Sequence, residues 1–167
     1  MKRNDRRSGQ SLVEFALVMP LFLAIIFGIL DVGRGVWAMD IVAHAANEAA
    51  RFAIVRGGTA SNTCPVGPPS GDANLDVDPA KCPHPSPSKQ AIYNVAMQAA
   101  IASGSGTTVT VCYGEGCTGD ADAPGATNAR GTPVTVRVTA HVQIFTGALV
   151  GINDFTVTGT TTMLVNH

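Results

Sequence analysis

The 167 residues are 46% hydrophobic and 14% charged, with a net charge of −1, enough for one small domain beside a membrane segment. Four of the 11 basic residues, Lys2, Arg3, Arg6 and Arg7, stand before the first apolar run and are offset there only by Asp5. The rest is mildly acidic, seven basic against eleven acidic residues, which excludes the clustered Lys and Arg that a nucleic-acid surface requires.

From Phe15 to Leu30 every residue is apolar or small (FALVMPLFLAIIFGIL), and counting from Leu12 gives nineteen residues with Glu14 as the one charge. As a helix this run is about 28 Å long, close to the ~30 Å hydrocarbon thickness of a bilayer. Pro20 would break a soluble helix but is tolerated in a span, where it is expected to kink the axis. The basic residues before the run hold that end in the cytoplasm and direct the remainder outward. An ordinary secretory signal has a shorter apolar region and is cut after it. Here the nearest small-residue site, Ala43-His44-Ala45, lies beyond Asp31, Arg34 and Asp40. A twin-arginine signal at Arg6-Arg7 fits poorly with the residues after the pair.

The segment RRSGQSLVEFALVMP instead resembles a prepilin-type signal: a basic leader, a Gly, a few polar residues, a Glu and then the apolar helix. Cleavage between Gly9 and Gln10 would make Glu14 the fifth mature residue. A carboxylate at bilayer depth costs ~2.5 kcal/mol or more at the centre, and less near the interface, unless something pairs with it. The new terminal amine of Gln10, on the same or a neighbouring subunit, has the opposite charge. Beyond this, EFALVMPLF, FGILDVGR and the Ala-rich HAANEAARFAIVRG together resemble the TadE-like family over residues 7–58. The resemblance implies a pseudopilin-like minor component of Tad/Flp pilus assembly, active in surface attachment, without catalytic residues, metal or cofactor. Its implied partners are a prepilin peptidase, the major Flp pilin and other minor pilins, the Tad secretion platform and the lipid bilayer. Its implied place is the bacterial inner membrane, single-pass, with the amino terminus cytoplasmic and the C-terminal domain outside, or incorporated in a pilus. The alternative is a single-pass surface protein whose outer domain binds a ligand, the helix serving only as anchor.

The expected organisation is a leader at 1–9, a transmembrane helix at 10–30, an amphipathic extension at 31–56 and an extracytoplasmic domain at 57–167. In the extension Val32, Val36, Met39, Ala43, Ala46, Ala50 and Ala53, supplemented by Val42 and Ala49, form a helical seam suited to its own sheet or to another subunit's helix. Asp40, His44, Asn47, Glu48 and Arg51 occupy the opposite arc. Gly57-Gly58 ends the helix. Residues 57–88 form a Pro-rich loop. A short helix follows, capped by Ser86 with Pro87 first and ending at Gly104. Strands are expected at 107–113, at 132–145 with Val134, Val136, Val138, Ala140, Val142 and Ile144 on one face, and at 155–165. The fold class is therefore α+β: a long N-terminal helix, a short helix and a small antiparallel sheet, in a pilin-like layout.

Cys64, Cys82, Cys112 and Cys117 all follow the membrane helix and face an oxidising space in this topology. Three pairings are possible. Cys112–Cys117 would close the CYGEGC turn and Cys64–Cys82 would clip the long loop, adding roughly 2 and 3 kcal/mol. The absence of any CxxC pair in the sequence argues against zinc. Gly114 to Gly119 matches GxGxxG by letter, but the following Asp120, Asp122, Pro124 and Gly125 read as loop where a dinucleotide site needs a helix. Asp72, Asn74, Asp76 and Asp78 alternate like a calcium loop, yet Val77 and Pro83 occupy the positions of its Gly and Glu. His44 and His141 read as exposed side chains, not as catalytic groups.

Overall fold

The computed structural model describes residues 5–58, 64–68, 82, 88–147, 151 and 154–166. Its elements are α1 (Asp5–Ile54), α2 (Gln90–Ala99), β1 (Ser105–Tyr113), β2 (Pro133–Gln143) and β3 (Asp154–Leu164). The strands form one antiparallel sheet in the order β1-β2-β3, the expected α+β class. The acidic run Asp72–Asp78, Ser86 and Pro87 lie outside the described residues.

The core follows from alternation. On β2, Val134, Val136, Val138, Ala140 and Val142 are buried. They pair laterally with Val111 and Tyr113 of β1 and with Val157 and Gly159 of β3, all on the side facing the helices. The opposite side is polar, with hydroxyl pairs Thr135–Thr162 at 2.8 Å and Thr139–Thr158 at 3.3 Å crossing from β2 to β3. α2 buries Ala91, Ile92 and Ala96 beside α1.

α1 is a 50-residue helix, about 75 Å at the standard rise, and it runs without interruption through Pro20. Its carboxyl-terminal half lies along the sheet in the same direction as β3. Gly35 meets the Phe155 ring, and Gly159 meets the backbone of Val42 and Ala43. Asn47 Oδ1 accepts a hydrogen bond from Thr161 at 2.7 Å, and Ile54 O accepts one from Asn166 N at 2.9 Å. This fixes a polarity for the domain. The start of β3, the end of β2, the end of α2 and the start of β1 lie toward the amino-terminal half of α1, and their other ends lie away from it.

The buried stripe of α1 differs from the expected seam in its first turns. Ala38, Val42, Ala45, Ala46, Ala49, Ala50 and Ala53 are buried, whereas Val32, Val36, Met39 and Ala43 are exposed. Asp31 and Gly35 supply the first turns of the true contact face. One carboxylate and one glycine position, invisible to a count of apolar residues, moved the stripe by about one residue. α2 also differs from expectation. It starts at Gln90 with Lys89 at the cap position, without a side-chain capping bond, and it ends at Ala99. Ser103 then closes the following turn through hydrogen bonds to Ala100 O, so the helix stops short of Gly104.

Candidate functional site: the anchor helix and its exit

The amino-terminal half of α1 stands clear of the domain. Leu12, Phe15, Leu17, Leu21, Phe22, Ile25, Ile29 and their neighbours are exposed on every side, and a side chain added at Gly9 or Gly28 would meet nothing within 4 Å. Such a surface is far larger and more apolar than soluble proteins expose, and the helix is long and apolar enough to cross a membrane. Gly9, Gln10, Glu14 and Pro20 all lie on this bare half, and Gln10 and Glu14 are exposed. Four residues apart in a helix, Gln10 and Glu14 share a face.

Where the apolar run ends, two residues one turn apart grip the connection after β2. The Asp31 carboxylate accepts hydrogen bonds from Phe145 N and Thr146 N, both at 2.9 Å, and from the Thr146 hydroxyl at 2.8 Å. Arg34 Nη1 donates to Gln143 O at 3.2 Å, and its guanidinium lies 4.6 Å from the centroid of the Phe145 ring. Asp31 is only 7% exposed, so these donors replace the water it loses. The Thr146 backbone N–H foremost, then Phe145 N–H, the Thr146 hydroxyl and nearby Arg34, hold its carboxyl below the ordinary value of 3.8 against the opposing effect of burial. The sign follows directly. A depressed carboxylate contributes stability that is complete above the unfolded value and is lost as pH falls through the folded one. Urea midpoints of the wild-type chain should therefore drop below pH 3.8, and Asp31→Asn should start lower at neutral pH and lose that acid step.

A second polar cluster secures the far end. β1 is an edge strand, and its outward N–H groups are taken by carboxylates: Val111 N by Asp120 at 2.9 Å and Tyr113 N by Asp122 at 2.8 Å. Lys89 Nζ bonds Val111 O, Asp120 O and Asp122 Oδ1, each at 2.8 Å, and the Tyr93 hydroxyl donates to Asp120. Burial, together with Asp120, pushes the Tyr93 hydroxyl pKa upward, keeping it a donor. The loop thus covers a strand edge that would otherwise recruit another chain. Gly114, Gly116 and Gly119 adopt φ of 94°, 70° and 62°, turning the chain back toward the strand. The GxGxxG letters therefore serve turns, with carboxylates where a phosphate site would need N–H groups.

Disulfides join Cys112 to Cys117, with Cα atoms 5.9 Å apart, and Cys64 to Cys82, 5.7 Å apart. The first closes the same edge-covering loop. Replacing Cys112 and Cys117 by serine should cost about 2 kcal/mol in chemical unfolding. An unchanged midpoint would mean that Asp120 and Asp122 suffice to hold the loop.

His141 bonds Asp154 through Nδ1 at 3.2 Å, a pairing across β2 and β3 that alternation alone did not reveal. Thr156 Oγ1 approaches the same nitrogen at 3.4 Å. A nucleophilic relay needs the carboxylate on one ring nitrogen and the hydroxyl on the other, so this trio lacks that geometry. His44 is exposed on α1. Among the described residues, no three His, Cys, Asp or Glu side chains are grouped to hold a metal.

Comparison with protein families finds a match to TadE-like protein at residues 9–51, which takes in Gly9, Gln10, Glu14, Pro20, Asp31 and Arg34. Comparisons with curated proteins and with solved structures give no match.

Proposed function

We propose that this chain, TadE-like over residues 9–51, is a membrane-anchored pseudopilin-like component of a Tad/Flp pilus assembly system, with a structural and not an enzymatic role. The observation that carries the reading is the division of labour along α1. One half is bare and, from Leu12 to Leu30, apolar with Glu14 as its one charge, whereas the other half packs one face on its own domain. The bare half, whose apolar side chains are exposed, offers that surface to other pilin-like helices within the membrane.

In this reading a prepilin peptidase cuts between Gly9 and Gln10 on the cytoplasmic side, and Glu14 then pairs with a terminal amine. The domain lies outside the inner membrane, where both disulfides are stable. The major Flp pilin, other minor pilins and the Tad secretion platform are the partners, and surface attachment is the outcome. Crosslinking in native membranes followed by purification of the tagged chain tests this. Pilin-like subunits should be recovered in crosslinked bands. A chain that crosslinks to no pilin-like subunit would favour a single-pass surface protein whose helix is only an anchor.

A further inference from the structure

We infer that the end of the domain nearest the apolar run is a lipid-interface seat, with Trp37, Phe145 and Ile101 lying in the headgroup layer of the bilayer that α1 enters. The inference rests on reading α1 as a bilayer span. Its first support is the polarity of the domain. Among the described residues, the earliest contacts of α1 with the sheet side are Asp31 to Phe145 and Thr146, followed by Gly35 to Phe155, which sets the connection after β2 close to Leu30. The turn after α2 shares that end: Ala102 to Ser105, Arg34, Trp37 and Gln143 line one cavity of about 300 Å³.

The second support is where the remaining exposed apolar side chains lie. Ile101 is 86% exposed, Phe145 68% and Trp37 59%, and Val32, Val36 and Met39 on the same stretch of α1 are exposed too. Among the described residues past Leu30, only Val55, Met97 and Leu164 add large exposed apolar side chains elsewhere. An aqueous domain gains nothing from this bias toward one end. A domain resting on a bilayer does, because aromatic rings and a cation together suit the interface. The charged groups at this end are already engaged. Asp31 is held by Phe145 and Thr146, Arg34 by Gln143 and the Phe145 ring, and His141 faces Asp154.

Trp37 lies seven residues beyond Leu30, so its backbone stands about 10 Å along the axis, just past a headgroup layer roughly 5–8 Å deep on each side. Helical side chains lean toward the helix amino terminus, which here brings the ring back toward the bilayer. A tilt of the ~20° usual for spans, directed toward Phe145 and Ile101, would lower both toward the bilayer. The cover over this end is therefore lipid and not a second copy.

Trp37 is the single tryptophan of the chain and reports without a label. The full chain is reconstituted in phosphatidylcholine–phosphatidylglycerol vesicles. Shallowly brominated lipid should quench Trp37 strongly and aqueous iodide weakly, without change when the protein is diluted in lipid. Ile101→Ser combined with Phe145→Ser, both at exposed positions, should raise iodide quenching at least about twofold. Strong iodide quenching of the wild-type chain overturns the inference, and so does protection that disappears on dilution in lipid, which would make a second copy the cover. Release of the chain by alkaline carbonate would instead remove the span reading itself. An iodide-open Trp37 on carbonate-resistant protein removes only the seat.

Discussion

Gly159→Val is expected to separate β3 from α1 and to unfold the outer domain at temperatures the wild-type chain withstands. A Cβ at residue 159 would stand 2.4 Å from Val42 O, 2.5 Å from Val42 C and 2.6 Å from Ala43 N, all backbone atoms of a helix that cannot yield as a side chain does. Overpacking against movable side chains costs about 1–3 kcal/mol, so a clash with helix backbone belongs at or above the top of that range. Alanine already supplies the Cβ, so Gly159→Ala should also be strongly destabilising. The contrast is Gly33→Ala on the same helix. Nothing lies within 4 Å of a Cβ there, and the change should be neutral or stabilising by up to ~1 kcal/mol through helix propensity. Thermal unfolding in detergent, followed by circular dichroism, separates the three variants. A Gly159→Val chain as stable as wild type would mean that β3 does not rest on α1.

Glu14→Val is expected to leave membrane insertion intact, or to improve it, while abolishing association with pilus subunits. Valine replaces a charge in an apolar run, which favours insertion. Cleavage should persist because Gly9 is untouched. If Glu14 pairs with a terminal amine, its removal strands the other charge at a cost of about 3–5 kcal/mol, roughly a hundredfold or more in an association constant. Quantitative recovery of crosslinked pilin-like subunits from wild-type and Glu14→Val membranes reads this directly. Equal recovery would rule out the ion pair and leave the anchor-only protein ahead.

The elements legible in the sequence are those set by local pattern. Strict alternation over 132–145 located β2 and its inward face, and the length and polarity of the first thirty residues located the bare half of α1. What was not legible depends on residues far apart in the chain. Asp31 looks like an ordinary boundary charge until the fold brings Phe145 and Thr146 to it, 114 and 115 residues away. That contact, with Gly35 against Phe155, selects the face of α1 that packs. On a helix this rich in Ala and Val, apolar spacing alone had several faces to choose from, and it placed Val32, Val36 and Met39 inward. Lys89 similarly carried no signal of its role, because the edge of β1 and the Asp120–Asp122 turn that it ties together are assembled only in three dimensions. The cap expected at Ser86 rested on local letters, whereas the helix starts only where the chain reaches Lys89 and these partners.

The central claim, a pilin-like subunit and not a plain anchored protein, turns on whether the chain is cut before its apolar helix. Intact-mass and N-terminal sequence analysis of protein extracted from membranes of the native host tests it most directly. The expected mature chain begins at Gln10, with Glu14 as its fifth residue. A chain that still begins at Met1, or one that begins after Ala45, would contradict the claim.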